Sequence, residues 1–354
     1  MVTSLGEQWK ITTLSGASLH EAMPRLQAFL GSKQHNHPAH NPLWLYVLKD
    51  GLRHVPYALE ASSNGETVGY LPLIFVRSTL FGRFLVSLPY LNTAGVFADA
   101  PDVQRGLIDQ AIELSQSLRT RHLELRHEQP IDHPRFNGVR ATKVHMRLAL
   151  PSFPGPLWES FPAKVRNQVR KGEKSNLTVH WGGKELLEEF YFVFSTNMRD
   201  LGTPVYSKRL FEAILRYFPG QAELCIVRHQ GMPVACSVLT HGQGITEVPS
   251  ASSLKDFKHT SANMLMFWHL IDRAIQRGQH TFDFGRSTKD SNTYRFKKQW
   301  GATESPAVWQ YCLHGQSAEL RADNPRFSRL IRIWQRLPVP VTQVLGPQIV
   351  RGIP

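Results

Sequence analysis

The sequence contains an internal repeat, and this repeat limits the possible folds more than any other feature does. Tyr57–Leu73 has two strand-like runs on either side of an Asn64-Gly65 turn, and Leu224–Leu239 has the same pattern around Gln230-Gly231. The two central positions of a type I′ turn both need a positive φ, and Asn-Gly is the pair that meets this need best. Each segment is therefore predicted to form an antiparallel β-hairpin.

A second pair of similar segments follows the two hairpins in the same order. Leu107–Ile112 reads LIDQAI and Leu270–Ile275 reads LIDRAI, each within a stretch of helical apolar spacing. A strand-like run follows each of them, at His122–Leu125 and at Thr281–Phe284. Because the two turns are 166 residues apart and the two helical matches are 163 residues apart, we infer a duplication of one unit.

The order of elements within each copy predicts an α/β fold of the α+β type. A helix-rich start, a hairpin, further strands, a long helix and a last strand give a mixed, mainly antiparallel sheet with helices on its faces. The segment LPSFPGP, which begins at Leu150, has three prolines within six residues and continues neither a helix nor a central strand. We therefore divide the chain into domains at residues 1–150 and 151–322, followed by a tail at 323–354.

The charge of the chain favours an anionic partner. The 354 residues include 41 Lys and Arg but only 28 Asp and Glu, a net charge of +13. This excess is typical of proteins that bind nucleic acid, phosphorylated substrates or anionic lipid. Because hydrophobic residues make up 42% of the chain, two cores can be buried and global disorder is excluded.

Several features predict a cytoplasmic protein. The three cysteines are odd in number and none forms a C-x-x-C pair, so we expect buried free thiols in a reducing compartment. The first residues lack a basic region followed by an apolar run, which argues against a signal peptide. No stretch approaches the roughly 18 apolar residues that a membrane-spanning helix needs.

The segment Thr281–Gly301 has the richest chemistry. It begins as a buried strand, breaks at Gly285 into a polar loop, and continues with aromatic residues interleaved with cations. Strand ends followed by polar loops are common ligand sites, and aromatic residues beside cations suit a phosphate-bearing partner with a base to stack. The alternative is an edge strand with a charged solvent face, and the pattern favours neither interpretation.

Three other segments are weaker candidates. Phe161–Lys174 is predicted to be a helix that turns Val165 and Val169 inward and exposes a basic surface, for phosphate or simply for solvent. Asn197–Arg209 and Leu88–Asp99 are irregular and either line a cleft or are ordinary loops. The histidines in HNHPAH, namely His35, His37 and His40, are expected in a polar or substrate-facing loop, and no metal site is predicted.

The tail combines apolar and basic residues. Phe327, Leu330, Ile331, Ile333, Trp334 and Leu337 alternate with Arg329, Arg332 and Arg336. This pattern predicts a short basic amphipathic helix. Two interpretations remain, packing against the body of the protein and docking on an anionic membrane surface.

The motif DFGRSTKDSNTYRFKKQWGA at Asp283–Ala302, preceded by ANMLMFW at Ala262–Trp268, resembles the Fem-type peptidoglycan-bridge aminoacyltransferases. The sequence is most similar to relatives associated with exosortase (PEP-CTERM) and exopolysaccharide loci of Gram-negative bacteria. PAKVRNQVRKGEK, DLGTPVY and LPYLNTAGV also resemble parts of that family. The resemblance implies two tandem GNAT-like acyltransferase domains and transfer of an acyl or aminoacyl group to an amine of a peptidoglycan- or exopolysaccharide-related precursor.

The resemblance implies that a basic residue near the motif meets the phosphate at the end of a donor tRNA, here Lys297 or Lys298. An acyl-CoA donor is less favoured, because the segment equivalent to the pyrophosphate loop, Ser253–Asn263, contains no glycine. No other cofactor is expected. An inserted helical arm is not expected, because no long heptad pattern lies between Leu177 and Gly220.

We assign hypothetical roles to the candidate residues on this basis. Asp283 or Glu247 accepts the amine proton, unless the acceptor itself supplies the base or Asp283 is only a satisfied strand-end carboxylate. Tyr294 protonates the leaving group, and Lys297 meets phosphate or oxyanion charge. The predicted donor-binding set is Arg286, Lys297, Lys298, Arg166, Arg170 and Lys171, and the predicted substrate-binding set is Asn92, Tyr206, Arg209 and Asn263.

Two rival functions remain. One is an acyl-CoA-dependent N-acyltransferase that acts on an amino sugar. The other is a non-catalytic module that binds an anionic polymer or a membrane assembly. The expected location is the cytoplasm, with the tail as a contact to the inner membrane.

Overall fold

The computed structural model describes residues 9–33, 37–315 and 327–353. The first half of the chain contains three helices and seven strands in these ranges. They are β1 (Trp9–Leu14), α1 (Gly16–Gly31), α2 (Leu43–Leu52), β2 (Val55–Ser63), β3 (Glu66–Ser78), β4 (Gly82–Val86), β5 (Phe97–Ala98), α3 (Pro101–Ser117), β6 (His122–His127) and β7 (Gly138–Ala149).

The second half repeats this order and adds helices. It contains α4 (Pro154–Ser160), α5 (Ala163–Glu173), β8 (Leu177–Gly182), α6 (Leu187–Asp200), α7 (Lys208–Tyr217), β9 (Ala222–His229), β10 (Met232–Gly242), β11 (Ile245–Ser253), α8 (Ala262–Gln276), β12 (Thr281–Thr288), α9 (Asn292–Lys298) and β13 (Thr303–Leu313). Two tail helices follow, α10 (Phe327–Trp334) and α11 (Val339–Val350).

All strands join one mixed, mainly antiparallel sheet flanked by helices, and the predicted fold class is confirmed. The strand order is β1-β2-β3-β4-β6-β13-β7-β12-β11-β10-β9-β8, with β5 beside β3. Among the strands of the described ranges, β4 with β6 and β11 with β12 are the parallel pairs. The last strand of each half is exchanged, because β7 pairs with β12 and β13 pairs with β6. The exchange makes one continuous sheet out of the two copies.

The repeat inferred from the sequence is present in three dimensions. The turn residues Asn64 and Gly65 have φ of 51° and 86°, and Gln230 and Gly231 have φ of 50° and 83°. These angles are those of a type I′ turn, which matches the right-handed twist of the strands it joins. Each hairpin is followed by the long helix and the strand that the second match predicted, α3 with β6 and α8 with β12. The proposed boundary near residue 150 falls between β7 and α4.

The segment after Gly285 differs from the expectation. β12 does not break at Gly285 but continues to Thr288, with a β-bulge that absorbs the glycine's φ of 74°. The cation-rich stretch is neither a loop nor a strand but helix α9, because Ser291 caps it by accepting a hydrogen bond from the Tyr294 backbone N–H. The alternating aromatic and basic residues therefore lie on a helix, where Tyr294 and Lys297 are three positions apart and so lie on neighbouring parts of its surface.

The two halves also pack through helices, and Gly51 is at their closest approach. A Cβ atom at Gly51 of α2 would lie 2.6 Å from the Cα of Leu210 of α7. We predict that Gly51→Ala destabilises the protein by about 1 to 3 kcal/mol, because backbone must move, which outweighs the gain in helix propensity of about 1 kcal/mol. Gly31→Ala in α1 is the matched control, because no atom lies within 4 Å of its Cβ. Equal urea midpoints for the two variants would contradict the prediction.

The tail helices lie against the body of the protein. In α11, Gln343 donates a hydrogen bond to Ser195 of α6 (2.9 Å), and Gly346 packs on Val205. In α10, Ile331 packs on Gly202. No helix within the described ranges combines the length and the apolar character that crossing a bilayer needs.

Candidate active site

The two parallel strand pairs separate after three residues of pairing. β4 and β6 are paired at Phe84–Val86 with His122–Glu124, and β11 and β12 at Ile245–Glu247 with Thr281–Asp283. Beyond these pairs β11 stays with β10 to its end, whereas β12 stays with β7. A wedge opens between the diverging strands, and we call the two wedges the β4–β6 gap and the β11–β12 gap.

The β4–β6 gap is filled by the chain itself. The segment Leu88–Ala94 follows β4 and is held by Arg126 of β6, whose Nη1 donates to the carbonyl oxygens of Leu91 (2.6 Å) and Leu88 (3.4 Å). The Ala94 backbone N–H donates to the Arg126 carbonyl at 3.1 Å. Backbone therefore occupies the place where a ligand would enter, which leaves the β11–β12 gap as the candidate site.

Residues of the first half border the β11–β12 gap. The Tyr90 hydroxyl lies 3.1 Å from the Ser250 hydroxyl of β11. A Cβ atom at Gly285 of β12 would lie 3.0 Å from Nδ2 of Asn92. Tyr206 packs edge-on against Tyr90, with 5.0 Å between ring centroids. The structure thus brings Asn92 and Tyr206, both predicted from sequence to bind substrate, to the edges of one gap.

Two acidic side chains lie at the apex of this gap within a buried cluster. Glu247 and Asp283 form the last parallel pair of β11 and β12. His37 Nε2 lies 3.6 Å from Asp283 Oδ2 and 3.9 Å from Glu247 Oε1. Arg147 donates through Nε to Asp283 (2.8 Å) and through Nη1 to Glu128 (2.9 Å). We call these five residues the apex cluster.

The two apex carboxyls have opposite protonation tendencies. Burial raises the pKa of Asp283, but the neighbouring His37 imidazole and the charge of Arg147 outweigh burial and hold that pKa below its usual range. Asp283 also accepts from the Gly285 backbone N–H at 2.6 Å. Burial raises the pKa of Glu247 above its usual range, and its Oε2 has no hydrogen-bond partner within the described residues. Glu247 is therefore the carboxyl with a free oxygen and the higher proton affinity.

Arg147 stabilises the apex cluster through two carboxylates. We predict that Arg147→Met lowers the free energy of unfolding by about 3 to 5 kcal/mol, because it leaves Asp283 and Glu128 without their cation. The matched control is Arg77→Met, at an exposed position of β3. It should change the free energy of unfolding by less than about 0.5 kcal/mol. Urea unfolding of the two variants measures the difference, and similar midpoints would refute the assigned role.

The Arg147 effect should depend on pH with a defined sign. The pKa values of Asp283 and Glu128 are both lowered in the folded protein. Their stabilisation is thus complete above the unfolded pKa, about 4, and is lost as the pH falls through the folded values. The difference in the free energy of unfolding between wild type and Arg147→Met should therefore be largest at neutral pH and should decrease below about pH 4.

Lys297 is held at the gap by two backbone carbonyls. Its Nζ donates to the carbonyl oxygens of Gly285 (3.1 Å) and Arg286 (2.9 Å). Burial lowers the pKa of Lys297 to about 8, with Asp283 opposing the shift and the positive charges of Arg286 and Lys143 adding to it. A fixed ammonium group thus lies at the point where β12 leaves β11, within range of the Asp283 charge.

Further cations lie near Lys297, contributed by strands β12, β6 and β7. The Arg286 guanidinium lies 3.4 Å from the ring centre of Trp309, and the Arg126 guanidinium lies 3.9 Å from it. Asn92 fixes this arrangement, since its Oδ1 accepts from Arg286 Nε (3.1 Å) and its carbonyl accepts from Trp309 Nε1 (3.2 Å). Burial and the charge of Arg126 lower the pKa of Arg286 to about 9.

The positive charge in this group is only partly neutralised. Arg126 is paired with Glu124 at 2.7 Å. Arg286 and Lys143 have no carboxylate within 4.0 Å among the residues that the structure describes, and burial together with Arg286 lowers the pKa of Lys143. The terminal nitrogens of Arg286 have no protein acceptor in the same ranges. This arrangement can bind an anion such as a phosphate, which would supply the missing charge and acceptors.

A cavity of about 430 Å³ reaches the apex cluster from the side of the first half. His37, Glu128 and Arg147 line it, together with His40, Thr93, Gly95, Val96, Gln104, His127, Gln129, Ile131, Gln243, Ile245 and His280. Its volume is in the range of pockets that hold small ligands. The cavity therefore gives a small polar group a route to His37 and its acidic neighbours.

Some predicted site residues lie elsewhere. Tyr294 is buried in the apolar cluster beneath α8, and Lys298 is exposed one position beyond Lys297. Asn263 is in the first turn of α8 and Arg209 is exposed at the start of α7. The roles predicted for these four residues stay predictions.

The basic helix is present as predicted, and it packs against α8. In α5, Val165 and Val169 are buried and Lys171 is exposed. Arg166 donates to the carbonyls of Glu159 (2.8 Å) and Phe161 (3.0 Å), and Arg170 lies over the Trp158 ring. The helix packs against α8, where Gln168 accepts a hydrogen bond from Ser261 (2.7 Å). Part of the Arg166 guanidinium is thus already hydrogen-bonded to the backbone that precedes α5.

Two of the three histidines of HNHPAH lie within the residues that the structure describes. His35 lies outside the described residues, whereas His37 belongs to the apex cluster and His40 lines the cavity. Burial lowers the pKa of His40 to about 4. No group of three or more His, Cys, Asp or Glu within the described ranges is placed to hold a metal ion.

Sequence reasoning missed most of the site's charged residues outside 281–301. The signal was present in β6, where Glu124 and Arg126 flank Leu125, and in β7, where Lys143 and Arg147 are separated by an even number of positions with Val144 and Met146 between. Alternate positions of a strand share one face, so these strands present charge on one side of the sheet. Tyr90 and Trp309 gave no comparable signal, because their roles depend on contacts between the two halves.

Comparison with known proteins gives one family match, which lies in the second half of the chain. Residues 160–298 match the model of the acetyltransferase (GNAT) domain, and this range contains the β11–β12 gap, Glu247, Asp283, Arg286 and Lys297. No curated protein sequence matches the chain.

Solved structures share the fold at low sequence identity. FemX is 16% identical with a TM-score of 0.64, over 90% of this chain and 100% of that one. The C-terminal domain of a putative lysylphosphatidylglycerol synthetase from Agrobacterium fabrum is 13% identical with a TM-score of 0.56, over 84% and 93%. A tandem GNAT protein from the clavulanic acid biosynthesis pathway is 11% identical with a TM-score of 0.54, over 88% and 100%. Residues 160–298 are therefore similar to a GNAT acetyltransferase domain, and the whole chain has a fold similar to those of FemX and of a tandem GNAT protein.

Proposed function

We propose that the protein transfers an acyl or aminoacyl group from a phosphate-bearing donor to an amine of a cell-envelope precursor, in the β11–β12 gap. One observation carries the proposal. The gap has a fixed ammonium at Lys297 and a buried carboxyl at Glu247 with a free oxygen, and the unneutralised cations Arg286 and Lys143 lie beside it on β12 and β7. Acyl transfer to an amine needs these three kinds of group.

The reaction assigns one task to each group. The acceptor nitrogen attacks the carbonyl carbon of the donor, and a C–N bond forms while the C–O bond of an ester or the C–S bond of a thioester breaks. Glu247 takes one proton from the attacking amine, and the leaving oxygen or sulfur takes one proton. Lys297 stabilises the negative charge on the carbonyl oxygen, and Arg286 with Lys143 binds the phosphate of the donor.

An aminoacyl-tRNA donor fits the chain better than acyl-CoA. The segment between β11 and α8 has no glycine. The Ser261 backbone N–H donates to the Lys258 carbonyl (3.2 Å) and the Ala262 backbone N–H donates to the Thr260 hydroxyl (3.3 Å), so these N–H groups are poorly placed to surround a pyrophosphate. The net charge of +13 favours a polyanionic donor. The match to an acetyltransferase model supports the second candidate, an acyl-CoA-dependent N-acyltransferase that acts on an amino sugar.

The acceptor class is inferred from two sources. The sequence resembles Fem-type enzymes and their relatives at exopolysaccharide loci, and the fold is that of FemX and of a putative lysylphosphatidylglycerol synthetase. We therefore propose an envelope precursor with a free amine, small or lipid-linked, that meets the enzyme at the cytoplasmic side of the inner membrane. The cavity beside His37 offers a route for the acceptor to Glu247.

Donor binding discriminates between the candidates. Aminoacyl-tRNA and acetyl-CoA are titrated side by side at two salt concentrations with wild type, Arg286→Ala and the matched control Arg295→Ala, an exposed position of α9. We expect the affinity for tRNA to fall as the salt concentration rises. The slope of log affinity against log salt concentration should be smaller by about one in Arg286→Ala and unchanged in Arg295→Ala. Binding of acetyl-CoA without tRNA would select the second candidate. Binding of neither donor would refute the proposal and leave a non-catalytic module.

A further inference from the structure

The tail carries an apolar surface that the protein leaves uncovered. Seven of the fourteen exposed large apolar side chains in the described ranges lie within residues 330–353. They are Leu330, Ile331, Ile333, Val341, Val344, Leu345 and Ile353. A soluble monomer rarely concentrates its exposed apolar side chains in this way. We call the other six, without Ile331, which packs on Gly202, the tail surface.

Helix α11 shows that the exposure is organised. Its inner face is Thr342, Gly346 and Val350, which are four residues apart and buried. Its outer face includes Val344, 70% exposed, and Leu345, 45% exposed. The helix therefore buries one small, one polar and one aliphatic residue and exposes larger aliphatic side chains, whereas an ordinary surface helix buries its aliphatic face.

The charge of the tail is of one sign. Residues 327–353 contain Arg329, Arg332, Arg336 and Arg351 and no aspartate or glutamate. Arg332 and Arg336 are exposed. Aliphatic side chains beside arginines, without any acid, complement a surface that is apolar below and anionic above, as an acidic phospholipid bilayer is.

We propose that the tail surface docks the protein on an anionic lipid bilayer. The outer faces of α10 and α11 enter the headgroup region, and the arginines contact lipid phosphates. The surface lies close to the candidate site, since Gly346 packs on Val205, the adjacent Tyr206 packs on Tyr90, and Tyr90 contacts Ser250 in the β11–β12 gap. Docking would thus bring the gap near the membrane.

Vesicle co-sedimentation of the full chain tests the proposal without any turnover, so that its failure is separate from a failure of the proposed function. We expect binding to vesicles of phosphatidylglycerol and phosphatidylcholine, much weaker binding to phosphatidylcholine alone, and release by salt. Val344→Asp/Leu345→Asp should weaken binding at least about tenfold. Arg332→Glu/Arg336→Glu should remove the preference for the anionic lipid.

Val139→Asp, a 59% exposed position on β7, is the matched control and should bind like wild type. If the double aspartate variant fails to fold, Val344→Asp alone replaces it. Absence of vesicle binding by wild type would overturn the proposal, as would an equal loss in Val139→Asp. A dimer in light scattering that Val344→Asp/Leu345→Asp converts to a monomer, with no vesicle binding, would assign the surface to a second copy of the chain instead.

Discussion

Lys297→Met should lower the rate of acyl transfer by about 10² to 10³-fold with little change in stability. The ammonium group is fixed on two carbonyls beside the gap, so removing it deletes a preorganised positive charge from the developing oxyanion. The assay follows label from the donor into an amide, which resists base, whereas the donor ester or thioester does not. The acceptor is a fraction of envelope precursors.

The control is Lys298→Met, which removes an exposed charge from the next position of the same helix. It should keep nearly full activity. The pKa of Lys297 is lowered to about 8, so wild type should lose activity as the pH rises through that value, and Lys297→Arg should keep its activity to higher pH. Equal rates for Lys297→Met and Lys298→Met would exclude Lys297 from the reaction.

Glu247→Gln should lower the transfer rate by about 10²-fold or more, since a positioned general base contributes on that scale. In wild type the base acts only when deprotonated. Its pKa is raised above 4.5 by burial, so the rate should climb with pH through that raised value. Glu247→Gln should lack this acid limb, which a pH–rate profile at saturating donor measures.

The matched control for this experiment is Glu113→Gln, an exposed glutamate of α3 that should leave the profile unchanged. An acid limb that persists in Glu247→Gln would mean that another group, such as the acceptor itself, supplies the base. Asp283 would not replace it, because its lowered pKa and its bonds to Arg147 and Gly285 make it a weak and fully bonded base.

The fold could be predicted because its main features are local. Type I′ turns at Asn64-Gly65 and Gln230-Gly231 follow from a few residues, and the helical spacing at Leu107–Ile112 and Leu270–Ile275 follows from apolar periodicity. The exchange of β7 and β13 between the halves could not be predicted, because strand neighbours are set by packing over long sequence separations. Helix α9 was not predicted, because the alternation of aromatic and basic residues is typical of a strand. Ser291, which caps the helix, was the residue that could have indicated it.

The candidate site was predictable mainly through one motif, with Glu247, Asn92 and Tyr206 as additional residues from other segments. Asp283, Arg286 and Lys297 belong to one motif, and the structure places them around the bulge of β12. The partners that set their protonation come from elsewhere. His37 precedes α2, Arg147 belongs to β7 and Trp309 to β13, and only the exchanged sheet brings these side chains together.

The most direct test of the account is a crystal structure with a stable donor analogue, either an RNA stem that ends in an amide-linked aminoacyl-adenosine or coenzyme A, whichever binds. The account predicts that the analogue enters the β11–β12 gap, with a phosphate within hydrogen-bond distance of Arg286 and the acyl carbonyl beside Lys297. Electron density for the donor at any other place, with the gap empty, would contradict it.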